Sequence, residues 1–122
     1  APDARIIACD VNRARLQQLG PRAERAGAAN IETRLLNPGQ EAAMLTDLIS
    51  GADAVIVDAP CSGSGTWRRS PELRWRITPQ RLARHRAEQA ALLVLGAALI
   101  RPGGRLVYAT CSVLAGEGRD QI

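Results

Sequence analysis

The sequence predicts one α/β domain, with a mostly parallel sheet flanked by helices. Short apolar segments alternate with longer segments of helical character along the 122 residues, and such alternation is typical of a parallel sheet. Aliphatic residues must fill the core, because the chain has one Tyr, two Trp and no Phe. No apolar run approaches the roughly 20 residues that a membrane-spanning helix needs. A transmembrane protein is therefore not expected.

The first half of the chain contains two predicted strand–helix repeats and a third strand. Asn12 can cap the first helix and Gly27 can end it. The third strand has an unbroken apolar run, which is typical of a strand buried on both faces. The predicted elements are a strand over Arg5–Asp10, a helix over Arg13–Ala26, a strand over Ile31–Leu36, a short helix over Glu41–Ile49 and a strand over Ala54–Asp58.

The second half contains a long loop, a long helix and one more strand. Several prolines and glycines indicate a loop over residues 59–78. Thr78 followed by Pro79 favours the start of a helix, which runs to about Ile100. The turn Arg101–Gly104 is expected to end this helix, and Arg105–Thr110 is the last predicted strand.

Arginine is concentrated in one segment. All 16 cationic side chains are arginine, and seven lie between residues 67 and 86 with one acid and two tryptophans. Guanidinium groups bind phosphate oxygens, and both guanidinium and indole stack on unpaired bases, so the segment suits RNA. The charge alone is equally consistent with a solvated helix face. The residues assigned to RNA binding are Arg68, Arg69, Arg74 and Arg76.

The three cysteines are far apart in the sequence, at Cys9, Cys61 and Cys111. With no C-x-x-C pair and one histidine, a metal site is not expected. The odd, sparse count favours a reducing cytoplasm over a disulfide scaffold. Cys9 lies inside a strand, so we expect it to be buried and structural. Cys61 and Cys111 each follow a strand beside a serine, where partial exposure and nearby arginines favour a reactive thiolate.

Polar groups lie at or just after the carboxyl ends of three predicted strands. They are Asp10, then Asp58 with Cys61, then Cys111. In open parallel sheets, ligands bind beyond these ends. An acid in the position of Asp10 can accept hydrogen bonds from ribose hydroxyls, although it could equally cap the following helix. The sequence therefore places the chemistry at this edge of the sheet, with Cys61 and Cys111 side by side.

Two segments at these strand ends carry a family resemblance. The first is Asp58–Gly65 (DAPCSGSG) and the second is Tyr108–Ser112 (YATCS). Together they resemble the Sun-type RNA cytosine-5 methyltransferases, which use S-adenosylmethionine on a Rossmann-like fold. The similarity covers essentially the whole chain, although its N-terminal third is generic. It extends through Arg68–Trp75, the turn Pro102–Gly104, Glu117 and Asp120–Ile122.

The resemblance implies a role for each thiol. Carbon 5 of cytosine becomes nucleophilic enough to take a methyl group only after a thiolate adds at carbon 6. The resemblance makes Cys111 this nucleophile and associates Cys61 with the later release of the product. It places Asp58 beside the cytosine and the cofactor, where a carboxyl group can bind the ring's polar edge. The alternative for Asp58 is a loop-capping carboxylate.

The resemblance also implies cofactor contacts. Asp10 matches the acid that binds the ribose of S-adenosylmethionine. Asn37 stands where the family usually has Asp near the adenine, and its amide can both donate and accept. His85, on the polar half of the long helix, is expected at the surface or on the RNA side rather than as a base.

The resemblance further implies that residues 1–122 are one partial methyltransferase domain, truncated at both ends. The first, central strand with its glycine-rich turn and the outer strands after Ile122 are expected to be lacking, so the fragment alone is expected to be inactive. The implied activity is methylation of cytosine in RNA, with ribosomal RNA favoured over transfer RNA. The alternatives are a basic RNA-binding fragment without catalytic activity and a class I methyltransferase that acts on protein or DNA.

Overall fold

The structure, a computed structural model, describes residues 4–122 and has a mixed α/β architecture. The chain divides into two compact units, an N-terminal unit up to Asp47 and a C-terminal unit from Leu48. All the predicted helices and strands are present, although some bounds differ. They are β1 (Ile6–Asp10), α1 (Arg13–Arg25), β2 (Ile31–Leu35), α2 (Glu41–Met44), β3 (Ala52–Asp58), α3 (Pro79–Leu99) and β4 (Ile100–Ala109).

In the N-terminal unit, β1 and β2 pair in parallel over all five residues of each strand, and α1 contacts both strands. The predicted helix boundaries are confirmed. The Asn12 side chain accepts hydrogen bonds from the first backbone N–H groups of α1, and Gly27, at φ +64°, follows its end. The expected burial of Cys9 is wrong, because this residue is exposed. Within the described chain β1 has only one strand neighbour, so a position inside the strand does not ensure burial.

In the C-terminal unit, β3 and β4 pair in parallel as far as Asp58 and Ala109. α3 lies against both strands and approaches them closely at Gly96. A Cβ atom on Gly96 would lie 3.0 Å from Cδ1 of Leu106 and 3.1 Å from Cγ2 of Val57. Glycine therefore allows α3 to pack directly on the sheet.

The turn predicted between α3 and the last strand is not a separate connection. β4 begins at Ile100, which pairs with Ala52, and the next aligned pair is Ala54 with Arg105. Residues 101–104 therefore bulge out of β4, with Gly103 at φ +79°. The proline and glycine residues form a bulge within the strand because pairing with β3 resumes on both sides of them.

Within residues 4–122, the four strands form two separate pairs, β1 with β2 and β3 with β4. The strand that ends at Asp10 therefore does not pair with the one that ends at Asp58 in the described part of the chain. In the C-terminal unit, apolar side chains remain exposed on both the sheet and the helix. Ile56 of β3 and Val94 of α3 are each 72% exposed. None of the described helices is both long and apolar enough to cross a bilayer.

Candidate active site

Two thiols are in contact at the carboxyl edge of β3 and β4. The loops that follow these strands start at the same edge because the strands are parallel and end opposite each other, at Asp58 and Ala109. The Sγ atoms of Cys61 and Cys111 are 3.2 Å apart, and both cysteines are free thiols. The expectation that these two residues lie side by side is confirmed.

Gly65 brings the first loop against the backbone of the second. Its N–H donates a hydrogen bond of 2.9 Å to the carbonyl oxygen of Cys111. A Cβ atom on Gly65 would lie 2.8 Å from that oxygen, which is closer than non-bonded carbon and oxygen atoms approach. Any side chain at this position would therefore displace the backbone of Cys111.

The surroundings of Cys111 favour its protonated form. The hydrogen bond to Cys61 and partial burial raise the pKa of the Cys111 thiol, and the negative charge of Asp58 adds to this shift. The expectation that nearby arginines favour the thiolate is wrong here, because the ionisable groups that act on Cys111 are a thiol and a carboxylate. Cys111 is nevertheless exposed, so it can meet a substrate, and it must lose its proton to act as a nucleophile.

A buried carboxylate joins the residues that follow the two cysteines. Glu117 is 1% exposed. Its Oε2 accepts hydrogen bonds from Oγ of Ser62 at 2.5 Å and from Oγ of Ser112 at 2.6 Å. Its Oε1 accepts from the backbone N–H of Ser62 at 2.9 Å and from Nε2 of Gln89 at 3.2 Å. Burial acts to raise the pKa of Glu117, but the hydrogen bonds from Ser112, Ser62 and Gln89 outweigh it and hold the pKa below its ordinary value.

The polar network extends beyond Glu117. Gln89, on α3, is fully buried and donates from the same amide nitrogen to the carbonyl oxygen of Pro60 at 2.9 Å. Ser64 Oγ lies 3.0 Å from Ser112 Oγ and accepts from the N–H of Val113 at 2.9 Å. The sequence-based assignment of site residues missed Gln89 and this use of Glu117. The one signal in the sequence was the serine directly after each cysteine.

A cavity of about 140 Å³ lies beside Cys61. Arg76, Arg81 and His85 contribute to its wall. His85 Nδ1 is buried, and no hydrogen-bond partner for it exists within residues 4–122. The carboxylate of Glu88 is 3.7 Å away. The single histidine thus lines the same cavity as one of the two thiols.

The arginine segment offers exposed cations. The four arginines assigned to RNA binding are exposed, and none has an acid within 4 Å in the described part of the chain. The guanidinium of Arg74 lies 4.6 Å from the ring centroid of Trp75, which is 78% exposed. The indole N–H of Trp67 is buried without a partner among the described residues. Trp75 is therefore the more accessible of the two rings for stacking.

Asp10 is the last residue of β1 and Asn37 follows the paired strand β2, so both lie at one edge of the N-terminal unit. Oδ1 of Asp10 accepts a hydrogen bond from the N–H of Asn12 at 2.8 Å, and its Oδ2 lies 3.8 Å from Arg15. Asn12 caps α1, so Asp10 supports the capping residue rather than the helix itself. The amide nitrogen of Asn37 lies 3.2 Å from Gln40 Oε1.

This edge fits a ligand with hydroxyl and amino donors. Asp10 Oδ2 and Asn37 Oδ1 accept no hydrogen bond from any residue in the range 4–122. The described residues also contain no group of three or more His, Cys, Asp or Glu placed to hold a metal ion.

The sequence matches, over residues 1–122, the family described as 16S rRNA methyltransferase RsmB/F. It is 40% identical over 120 residues to a probable ribosomal RNA small subunit methyltransferase B from Synechocystis, covering 96% of this chain and 26% of that protein. It is 36% identical over 122 residues to ribosomal RNA small subunit methyltransferase B from Salmonella paratyphi B, covering 100% of this chain and 28% of that protein. The chain thus spans about a quarter of the length of these relatives.

Two solved structures are similar to the fold. PH0851 matches with a TM-score of 0.89 and 32% identity, covering 98% of this chain and 27% of that one. NSun6 from Pyrococcus horikoshii with SFG, an analogue of S-adenosylmethionine, matches with a TM-score of 0.80 and 29% identity, covering 98% of this chain and 29% of that one. The predicted Rossmann-like methyltransferase fold is therefore confirmed.

Proposed function

Because the chain belongs to the RsmB/F family of 16S rRNA methyltransferases, we propose that the protein transfers a methyl group from S-adenosylmethionine to carbon 5 of a cytosine in ribosomal RNA. The observation that carries this proposal is the contact of two free thiols at adjacent strand ends. Carbon 5 of cytosine needs a thiolate to activate it, whereas a nucleophilic nitrogen or oxygen acceptor does not. A methyltransferase for such an acceptor would leave both cysteines without a task.

Cys111 is the nucleophile, since it is the exposed member of the pair. After its proton is lost, its sulfur bonds to carbon 6 of the cytosine and raises the electron density at carbon 5. Once carbon 5 carries the methyl group, a base accepts the proton of carbon 5. The electron pair of that carbon–hydrogen bond restores the ring double bond and expels the sulfur of Cys111. Cys61 serves this release step, and its sulfur, 3.2 Å from that of Cys111, is close enough to act there.

Asp58 completes this set of residues at the end of β3. It lies opposite Ala109 of β4, two residues before Cys111, and its negative charge contributes to the raised pKa of that thiol. An acidic group there can bind the polar edge of the cytosine and stabilise charge as the sulfur adds. We assign Asp58 to the catalytic site and, by the same position, to the cofactor-binding residues.

S-adenosylmethionine, when bound, supplies the methyl group from its sulfonium centre. Asp10 is assigned to its ribose, because Oδ2 accepts no hydrogen bond from the described residues and can receive one from a hydroxyl group. Asn37 is assigned to its adenine, because the amide oxygen can accept from an amino group. The fold's similarity to a methyltransferase structure with SFG supports this cofactor.

The RNA is proposed to contact the arginine segment. Exposed arginines without acid partners suit phosphate groups, and the open face of Trp75 suits a base. The cavity beside Cys61 extends this cationic surface towards the thiols through Arg76 and Arg81. Ribosomal RNA is preferred because the curated relatives are named as ribosomal RNA methyltransferases.

Replacement of each cysteine by alanine in the full-length protein tests the mechanism. With Cys111→Ala, no adduct at carbon 6 can form, so methyl transfer and covalent RNA capture should both vanish. With Cys61→Ala, addition and methyl transfer proceed but release is impaired. A covalent protein–RNA complex should therefore accumulate as a slow band on a denaturing gel. Cys9→Ala is the matched control and should behave as the parent protein. Capture by the Cys111 variant and not by the Cys61 variant would show that the two roles are reversed.

Mass spectrometry of nucleosides identifies the product. Unmodified ribosomal RNA incubated with the full-length protein and S-adenosylmethionine should contain 5-methylcytidine, whereas transfer RNA should not. RNA binding without any methylated nucleoside, together with no saturable binding of S-adenosylmethionine, would support a non-catalytic RNA-binding protein instead. A methylated protein or DNA product would support a class I methyltransferase that acts on protein or DNA.

A further inference from the structure

We propose that Glu117 is the positioning residue of the thiol pair, holding Cys61 and Cys111 in contact by binding the serine that follows each of them. The geometric part of this inference is independent of the reaction, and its catalytic consequence rests on the proposed function. The carboxylate is 55 residues from Ser62 and five from Ser112, and it binds both hydroxyls through the same oxygen, Oε2. It thus ties the loop after β3 to the loop after β4 immediately beside the sulfurs.

The direction of each hydrogen bond in this network follows from the number of protons that each group has. Ser112 Oγ accepts from the N–H of Leu114 at 3.1 Å, and Ser64 Oγ accepts from the N–H of Val113. Each serine hydroxyl has one proton. Ser64 therefore donates to Ser112, and Ser112 and Ser62 both donate to Glu117. This arrangement requires a group at position 117 that accepts hydrogen bonds and donates none, and an ionised carboxylate is such a group.

A glutamine at this position would disturb the arrangement despite its similar size. If its carbonyl oxygen replaced Oε2, its amide nitrogen would face two other donors, the N–H of Ser62 and Nε2 of Gln89. If the oxygen replaced Oε1, the nitrogen would face the two hydroxyls that need an acceptor. In either orientation, donors that now bind the carboxylate would lose their acceptor. Because a buried unpaired donor is costly, we expect the two loops to separate rather than keep their positions.

Burial also argues for a specific role of this residue. A carboxylate that is 1% exposed has no ionic partner within 4 Å in the described residues, and its charge is balanced by hydrogen bonds alone. Burying a charge in this way stabilises a fold poorly compared with apolar packing. The network is directed at the two cysteine loops, which suggests that their relative position is what it preserves.

The test measures coupling of the two thiols, which does not depend on methyltransferase activity. Oxidation by diamide transfers two electrons and two protons from the thiols to the reagent, yielding a disulfide and the corresponding hydrazine. In a Cys9→Ser background of the full-length protein, Glu117→Gln should form the Cys61–Cys111 disulfide at least tenfold more slowly than the parent. Methyl transfer should fall in kcat by a similar factor, with little change in KM for RNA.

Single-cysteine versions separate position from reactivity. In a protein that keeps only Cys61 or only Cys111, Glu117→Gln should change the rate of alkylation of the thiol much less than it changes the rate of disulfide formation in the two-cysteine protein. This is because the carboxylate sets the distance between the sulfurs. Asp120→Asn is the matched control, because Asp120 is an exposed acid of the same segment whose one ion pair in the described chain is with Arg119. Asp120→Asn should form the Cys61–Cys111 disulfide as fast as the parent protein.

The inference is overturned if folded Glu117→Gln couples its thiols at the parental rate. Should this variant fail to fold, Ser62→Ala and Ser112→Ala each remove one of the two hydroxyls and should each slow coupling. Parental coupling in both serine variants would overturn the inference equally. Slow coupling in a protein that never yields 5-methylcytidine would retain this inference and reject the proposed function.

Discussion

The two units contain the same motif, a parallel strand pair covered by one helix, but their carboxyl edges are built differently. At the edge of β1 and β2, the side-chain contacts of Asp10 and Asn37 reach two to five residues along the chain. At the edge of β3 and β4, several side-chain contacts join residues 28 to 55 positions apart, as in Gln89 with Glu117 and Ser62 with Glu117. The first edge is formed by the turns that directly follow its strands. The second is formed by three separate segments, which are the loop after β3, α3 and the loop after β4.

This difference predicts how each edge responds to substitution. A locally formed turn leaves its side chains partly exposed and available to a ligand, so a change there should alter binding without moving distant groups. An edge formed by long-range hydrogen bonds holds the reactive atoms at a fixed separation, so a small steric change should reach the thiols. Catalysis is sensitive to such shifts, since a displacement of about 1 Å can reduce a rate about 100-fold.

The largest expected effect is that of Gly65→Ala. The added carbon would meet the carbonyl oxygen of Cys111 at 2.8 Å, so the nucleophile must move, and methyl transfer should fall about 100-fold. Gly20→Ala is the matched control in α1, where nothing lies within 4 Å of the added carbon. It should keep full activity and raise stability by about 0.5–1 kcal/mol. Turnover assays and thermal unfolding check both, and an active Gly65→Ala protein would show that the contact has no bearing on the thiols.

A smaller effect is expected at the locally formed edge. Asp10→Ala should weaken S-adenosylmethionine binding roughly tenfold or more, because a hydrogen bond to a charged group contributes about 1.5–3 kcal/mol. Asn12→Ala removes the cap of α1 and should lower stability by about 1 kcal/mol with unchanged affinity. Isothermal titration and thermal unfolding distinguish the two roles. If Asp10→Ala lowered only the stability, Asp10 would be a structural support for the turn.

The ionisation of Cys111 tests the long-range edge without changing its shape. Because the hydrogen bond to Cys61 and then burial raise the pKa of Cys111, Cys61→Ala should lower that pKa and speed alkylation of Cys111 near neutral pH. The alkylation rate, followed against pH in a Cys9→Ser background, checks this. The raised pKa favours the folded state below the ordinary thiol pKa, and this contribution is lost as the pH rises through the raised value. An unchanged pH profile in Cys61→Ala would mean that the sulfur–sulfur contact does not control the proton.

The contrast between local and long-range contacts also explains which features could be predicted from the sequence. Helix starts depend on neighbouring residues, so Asn12 and the pair Thr78 and Pro79 predicted them correctly, and Thr78 accepts a hydrogen bond at the start of α3. The contact of the two thiols followed from parallel strands that end at one edge. The exposure of Cys9 and the role of Glu117 depend on which distant segments lie opposite, and local patterns carry no such information. The bulge at residues 101–104 was missed for the same reason, since pairing with β3 decides it.

The smallest expected effect concerns the arginines, whose pairing also differs between the units. Arg5, in the N-terminal unit, binds the carboxylate of Glu32 at 2.7 Å, whereas Arg68, Arg69 and Arg74 have no such partner within residues 4–122. An unpaired guanidinium can neutralise a phosphate and release its counterion, so each change of Arg68, Arg69, Arg74 or Arg76 to Gln should reduce the salt dependence of RNA binding by about one unit of the log–log slope or less. Fold stability should hardly change, and Arg5→Gln should leave the slope as it is. RNA affinities measured at a series of salt concentrations test this prediction. Unchanged slopes in all four variants would show that the segment is a solvated surface that RNA does not contact.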